Sequence, residues 1–132
     1  MREILFRGKT YNDKWVQGLL VQMDDHLTQI RKLGSDGIGY YDYSIVPSTV
    51  GQYTGLTDKN GKKIFEGDII KGNFSNYVIW ADETERAFVY GKSYKGGYKN
   101  LMSDYLLKSS FPNGMEVIGN IHDNPELLEV VE

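Results

Sequence analysis

The chain has 132 residues, with 15 Lys and Arg against 18 Asp and Glu and a formal net charge of −3 at neutral pH. That length holds one domain with a real core, or two small subdomains, and a hydrophobic content of 40% excludes a wholly disordered chain. The absence of cysteine excludes a disulfide framework, a thiolate nucleophile and a Cys-based zinc site.

No apolar run reaches bilayer-spanning length, and Met1–Arg7 is charged too early for a signal peptide, so no membrane contact is expected. Charge is unevenly spread. Residues 112–132 hold five acids and no Lys or Arg, whereas the other 111 residues hold all 15 basic residues and 13 acids, a balance of +2. This is not the footprint of a strongly electrostatic DNA binder. An acidic end of this kind reads as a solvated terminal segment.

Taken in chain order, Glu3–Arg7 reads as a short strand and Tyr11–Lys14 as a turn. Trp15–Met23 follows as a strand with Trp15, Leu19 and Val21 on one face and Val16 and Leu20 on the other. Leu27–Leu33 is a further strand, Gly34–Gly37 a turn, and Ile38–Val46 another strand. A second unit starts after Pro47-Ser48. Its Asn60-Gly61 pair suits a tight turn, and the glycine in Ile64-Phe65-Glu66-Gly67-Asp68-Ile69-Ile70 marks a bulge or bend. Tyr77–Ala81 and Ala87–Tyr90 form a hairpin. Helical spacing of Leu101, Met102, Tyr105 and Leu106 predicts a helix over about 99–108. Met115–Ile121 reads as a last strand, and Asn124-Pro125-Glu126 opens a second helix, to about residue 130.

The expected fold is therefore mainly β: an N-terminal β subdomain over 1–46, and an SH3-like β-barrel with one or two short helices over 51–132. Trp15, Leu19, Val21, Phe65, Ile69, Ile70, Val78, Trp80, Phe88, Val117 and Ile121 are expected to supply much of the buried apolar surface.

Two stretches resemble a known family. Gly51-Gln52-Tyr53-Thr54-Gly55-Leu56-Thr57-Asp58-Lys59-Asn60-Gly61-Lys62-Lys63-Ile64-Phe65-Glu66-Gly67-Asp68-Ile69-Ile70 is similar to the central signature of YopX proteins, and Glu116–Leu128 to their C-terminal one. The opening Arg2–Arg7 is similar too, while residues 19–49 and 91–112 match loosely. The resemblance implies a small protein encoded by a phage or prophage; with no cysteine and no signal-like start, the cytoplasm of the bacterial host is the expected location. It brings no established activity and no catalytic residues. Both signatures also have a complete structural reading, as turn glycines, a bulge, core positions and a helix cap.

Motifs with chemical meaning are few. Gly91-Lys92-Ser93 resembles the end of a phosphate-binding loop, but the glycine required five residues earlier is Arg86. Asp58-Lys59-Asn60-Gly61 has its glycine two positions too early for a calcium loop. His26 and His122 both neighbour acids, and together would hold a divalent metal or provide a base, but no spacing brings them together. Glu66 and Asp68, two apart, point the same way on a strand as a carboxylate pair, or are simply acids beside a turn. Tyr40, Tyr41 and Tyr43 are expected to pack a half-covered β face.

The segment Lys92–Lys99 is the candidate contact surface. Tyr94 and Tyr98 alternate with Lys92, Lys95 and Lys99 around Gly96-Gly97, and tyrosine offers large apolar area with a polar tip at low entropy cost. The glycines argue against a regular element there. These five residues are expected to meet a protein or nucleic-acid partner, in a non-catalytic binding or adaptor protein without cofactor or metal; self-association is compatible with the same surface. Two alternatives come from other classes: a small metal-assisted hydrolase using His26, His122 and nearby acids, and a structural subunit of the virion.

Overall fold

The computed structural model describes residues 3–24 and 27–128. The chain is mainly β, and every strand pairing is antiparallel. It divides into two compact units, Met1–Gly55 and Leu56–Glu132.

In the first unit the strand order is β4-β3-β2-β1-β5. β1 is Phe6–Lys9, β2 Trp15–Asp24, β3 Leu27–Leu33, β4 Tyr40–Ser44 and β5 Gly51–Thr57, the last running across the boundary between the units. β1 starts later than the expected Glu3–Arg7: its pairing with β2 begins at Phe6, opposite Gly18, and runs to Lys9 opposite Trp15, while before it the Leu5 carbonyl accepts from the Tyr53 N–H at 2.8 Å. The core of this unit is Val16, Ile30 and Ile45, with Phe6, Leu20 and Val50 against it. This corrects the expected face of β2. Leu19 is 54% exposed, and Trp15 and Val21 are half-buried, because Val16, Gly18 and Leu20 face the cluster. Arg7 and Lys9 cover the Trp15 ring at 4.9 and 6.0 Å. Both faces of β2 are apolar, so only cross-strand register decides which one is buried.

The second unit begins with the end of β5 and β6 (Lys63–Phe65), joined by a turn in which the Asp58 N–H donates to the Lys62 carbonyl and the Gly61 N–H to that of Asp58. Its sheet has the order β10-β9-β8-β7-β11. The ranges are β7 Asp68–Ile70, β8 Tyr77–Asp82, β9 Ala87–Ser93, β10 Gly96–Leu101 and β11 Val117–Asn120. Among the described residues this order is open, ending on β10 and β11. Apolar clusters cover both faces of β8 and β9. Ile64, Ile70, Ile79, Tyr90 and Met115 form one, and Val78, Trp80 and Val89, packed by Ile121 and Leu128, form the other. That two-sided burial is why Tyr77–Ala81 is apolar throughout rather than alternating. Trp80 is 2% exposed, and Phe65, Ile69, Ile70 and Val78 are buried as expected, whereas Phe88, Val117 and Ile121 are half-buried.

The helix expected over 99–108 is displaced. Lys99–Leu101 belongs to β10, with Lys99 opposite Gly91 and Leu101 opposite Val89. α1 runs over Asp104–Ser110 only. The cross-strand bonds of Lys99–Leu101 outweigh a local helical periodicity that a short segment could not sustain alone. The second expected helix is a short 3-10 turn, Pro125–Leu128, and residues 129–130 lie outside the described residues. No helix among the described residues is long and apolar enough to cross a membrane.

Candidate functional site

The segment Lys92–Lys99 is not an irregular loop. It is the end of the β9–β10 hairpin, whose turn is Tyr94-Lys95, with Ser93 opposite Gly96 and Lys95 at φ 59°. Between Gly96 and Lys99 the register shifts, so β10 carries one extra residue there, and Gly97 at φ 69° absorbs it. The glycines that argued against a strand thus serve its bulge.

The hairpin's two faces receive different candidate residues. On one face the Tyr94 ring meets Trp80 edge-on, with centroids 6.1 Å apart, and the Lys95 ammonium lies 5.2 Å from the Tyr94 ring centre. Burial, then the nearby Glu66 carboxylate, raises the Tyr94 pKa above its ordinary value, against the opposing pull of Lys95. Lys99 Nζ is 2.8 Å from Asp82 Oδ2, while Asp82 Oδ1 accepts from Trp80 Nε1 at 3.2 Å. The Lys99 bond, with the Glu85 N–H next, holds the Asp82 carboxyl below the usual range. Gly91 makes this arrangement fit: a Cβ there would stand 2.6 Å from the Tyr98 carbonyl oxygen and 2.9 Å from Trp80 Cη2.

The other face is open. Tyr98 is 98% exposed and Lys92 is exposed. Strand alternation puts Lys92 on the side of Tyr90, and Tyr98 on that of Asn100, which stands opposite Tyr90. On this side lies a hollow of about 290 Å³ lined by Lys71, Asn73, Phe74, Tyr77, Tyr90, Asn100, Ser110 and Phe111. Tyr77, Tyr90 and Phe111 make a mutual edge-to-face triad with centroids 5.5 to 6.3 Å apart. The loop from Lys71 to Asn76 forms one wall. It is tied at both ends, by the Lys71 N–H to the Glu116 carbonyl at 3.0 Å and by Asn76 Nδ2 to the Leu127 carbonyl at 2.8 Å. Nothing in the sequence pointed to this hollow, since its walls come from several successive elements, the β7–β8 loop, β8, β9, β10 and the end of α1, and only their packing brings them together.

Other candidates fall elsewhere. His26 lies outside the described residues. The His122 N–H donates to Asn120 Oδ1 at 2.9 Å in the turn before Pro125. Among the described residues no three His, Asp or Glu gather as a metal would need. Glu66 sits in the β6–β7 turn and accepts from the Ala81 N–H at 2.9 Å, while buried Asp68 accepts from the Phe65 N–H at 2.8 Å, so both carboxylates bind backbone. Tyr40, Tyr41 and Tyr43 are exposed rather than packed. The reason is that β4 ends its sheet, beyond the reach of the core cluster, held by the bidentate Arg31–Asp42 pair at 2.8 and 3.0 Å.

Several signature residues have structural roles. Asp58 joins the two stretches: Oδ1 accepts from the N–H groups of Asn60 and Lys62, both at 2.9 Å, and Oδ2 from that of Val117 at 3.1 Å. Lys59 and Glu116 pair across the same junction at 2.9 Å. Gly67 donates to the Ile79 carbonyl, and its own carbonyl accepts from Ile121.

Antiparallel sheets, a hairpin locked on one face and a shallow hollow with an aromatic triad on the other describe a small, mainly β protein. The chain belongs to the YopX protein family, whose model matches residues 5–129. It is similar to the crystal structure of protein EF1440 from Enterococcus faecalis, with 27% identity and a TM-score of 0.57 over 98% of this chain and 100% of that one. No curated protein matches it.

Proposed function

We propose that this chain is a non-catalytic binding or adaptor protein that meets a protein or nucleic-acid partner through the β9–β10 hairpin. The observation that carries this is Tyr98: a tyrosine left 98% exposed on a hairpin whose opposite face is anchored by Tyr94 on Trp80 and Lys99 on Asp82. An aromatic held on a rigid support loses little entropy when a partner covers it. In this reading Tyr98 and Lys92 make the first contacts, and Tyr94, Lys95 and Lys99 hold the hairpin in place for them. The proposal includes a phage or prophage origin, as the family resemblance implies, and action in the bacterial cytoplasm, as the cysteine-free composition suggests. It includes an SH3-like architecture for the C-terminal unit, supported by its short antiparallel strands and tight turns.

The test is affinity capture from phage-infected or prophage-induced cells with wild-type, Tyr98→Ala and Tyr94→Ala proteins. Tyr98→Ala should lose the partner without a change in thermal stability. Tyr94→Ala should lower stability, by roughly 1–2 kcal/mol for a lost aromatic contact and its buried area, yet retain the partner below its melting temperature. Equal capture by wild type and Tyr98→Ala would remove the hairpin from the binding role.

A further inference from the structure

We propose that the hollow beneath the β7–β8 loop takes one nucleotide of a single-stranded nucleic acid, its base among Phe74, Tyr77 and Phe111 and its phosphate at Lys71. The inference deepens the binding reading above and rests on it only in treating the chain as a binding protein.

Size comes first. A volume of about 290 Å³ is that of about ten waters in the liquid, and it lies at the lower edge of ligand pockets. One ring system with a substituent fills it, and a long side-chain array does not. Its chemistry is also selective. Tyr90, 4% exposed, closes the floor of the aromatic triad, whereas Phe74 at the rim is fully exposed. A planar base entering here would meet the aromatic triad below it and the uncovered Phe74 ring at the rim, and exposed aromatic rings are what single-strand binders stack bases on. Asn73, Asn100 and Ser110 on the lining offer both donors and acceptors, as the edge of a base requires and an aliphatic group does not.

Charge then favours an anion. Lys71 is the one charged residue on the described lining, which holds no Asp or Glu. The nearby Glu116 carboxylate is paired with Lys59 at 2.9 Å and lies within electrostatic reach of Lys71 as well, so a phosphate would share Lys71 with it. An ammonium ligand would meet like charge here despite the rings. Lys92, on the same side as Tyr90, stands where a neighbouring phosphate would pass. The loop is also pre-shaped: a Cβ at Gly72 would fall 1.9 Å from the Ser75 carbonyl oxygen and 2.6 Å from Tyr77 Cε2, so glycine lets the loop close down on the Tyr77 ring.

The test is fluorescence anisotropy of the full chain with labelled single-stranded decathymidylate at low salt. Its duplex, free thymidine monophosphate and a proline-rich decapeptide serve as competitors. The single strand should bind and the duplex compete weakly. Phe74→Ala, at a fully exposed position that folding does not need, should weaken binding roughly 5- to 150-fold, the range for loss of one base–aromatic stack. With two lysines the slope of log affinity against log salt should be about −1.4, and Lys71→Ala should reduce it by about 0.7. Absent binding, or affinity unchanged in Phe74→Ala, overturns the proposal. Competition by the free mononucleotide as strong as by the strand overturns the assignment to a strand, and displacement by the peptide reassigns the hollow to proline-rich segments. The two readings fail separately. Loss of partner capture in Tyr98→Ala together with Phe74-independent decathymidylate binding sinks the nucleotide site alone. Phe74-dependent strand binding with capture indifferent to Tyr98 sinks the hairpin alone.

Discussion

Both oxygens of the Asp58 carboxylate are occupied, by the N–H groups of Asn60, Lys62 and Val117, and the residue is buried. Burial alone would raise its pKa, but the N–H donors of Val117, Lys62 and Asn60, with the charge of Lys62, outweigh it and hold the carboxyl below its ordinary value. One side chain thereby fixes the turn between β5 and β6 and ties it to β11, nearly sixty residues on. Removing it would leave these donors without their acceptor. Asp58→Ala is expected to cost about 3 kcal/mol, since bonds to a charged acceptor are each worth more than neutral ones. Asp58→Asn should fall between wild type and Ala, because its amide keeps one acceptor but turns a donor toward a backbone N–H. Chemical denaturation of the three proteins checks the order, and a neutral Asp58→Ala would show that the carboxylate is not a fastener.

For single elements, register rather than composition decides which residues matter. β2 has apolar residues on both faces, and its pairing with β3 sets Leu20 opposite Ile30 and Leu19 opposite Arg31. Leu19→Lys should therefore change stability by no more than about 0.5 kcal/mol, while Ile30→Ala, at a fully buried position, should cost roughly 2–4 kcal/mol. The reverse ranking would mean that the other face of β2 is buried. Close approach between strands gives a second expectation. Gly91→Ala would press on the Tyr98 carbonyl oxygen and the Trp80 ring, and should cost about 1–3 kcal/mol through strand separation. Because that strain falls on the support of Tyr98, partner capture by Gly91→Ala should weaken along with stability.

At the scale of the whole molecule, four carboxyls among the described residues have lowered pKa values: Asp42 through its bond to Arg31, Asp82 through Lys99, Glu116 through Lys59, and Asp58 through backbone donors that outweigh its burial. A depressed pKa contributes stability above the unfolded value, and that contribution is lost as pH falls through the folded one. Thermal stability should thus hold level down to about pH 5 and fall progressively below about pH 4, where unfolded carboxyls take up protons. Melting curves across this range test it. Asp58→Ala should fall less steeply with acid than wild type, and an identical slope would mean that Asp58 is not among the linked groups.

How much of this was legible in the sequence follows from the range of the interactions concerned. Turn residues, the alternation of β3 and the long apolar run of β8 are local patterns, and together they determined a mainly β chain, its turns at Gly34–Gly37 and Asp58–Gly61, and most of its strands. The two signature stretches identified the family for the same reason, because the structural roles of Asp58, Gly67, Asp68 and Asn120 require those residue types at those spacings. What only the tertiary structure decided depends on partners distant in the chain. Lys99–Leu101 became strand because β9 lies beside it, and Leu19 was left outside because Ile30 lies under Leu20. The five candidate residues of the hairpin were divided between a locked and an open face by the pairing of β9 with β10 and the turn between them. The aromatic hollow exists only where Tyr77, Tyr90, Asn100 and Phe111 are brought together from separate elements, and no local pattern encodes that meeting.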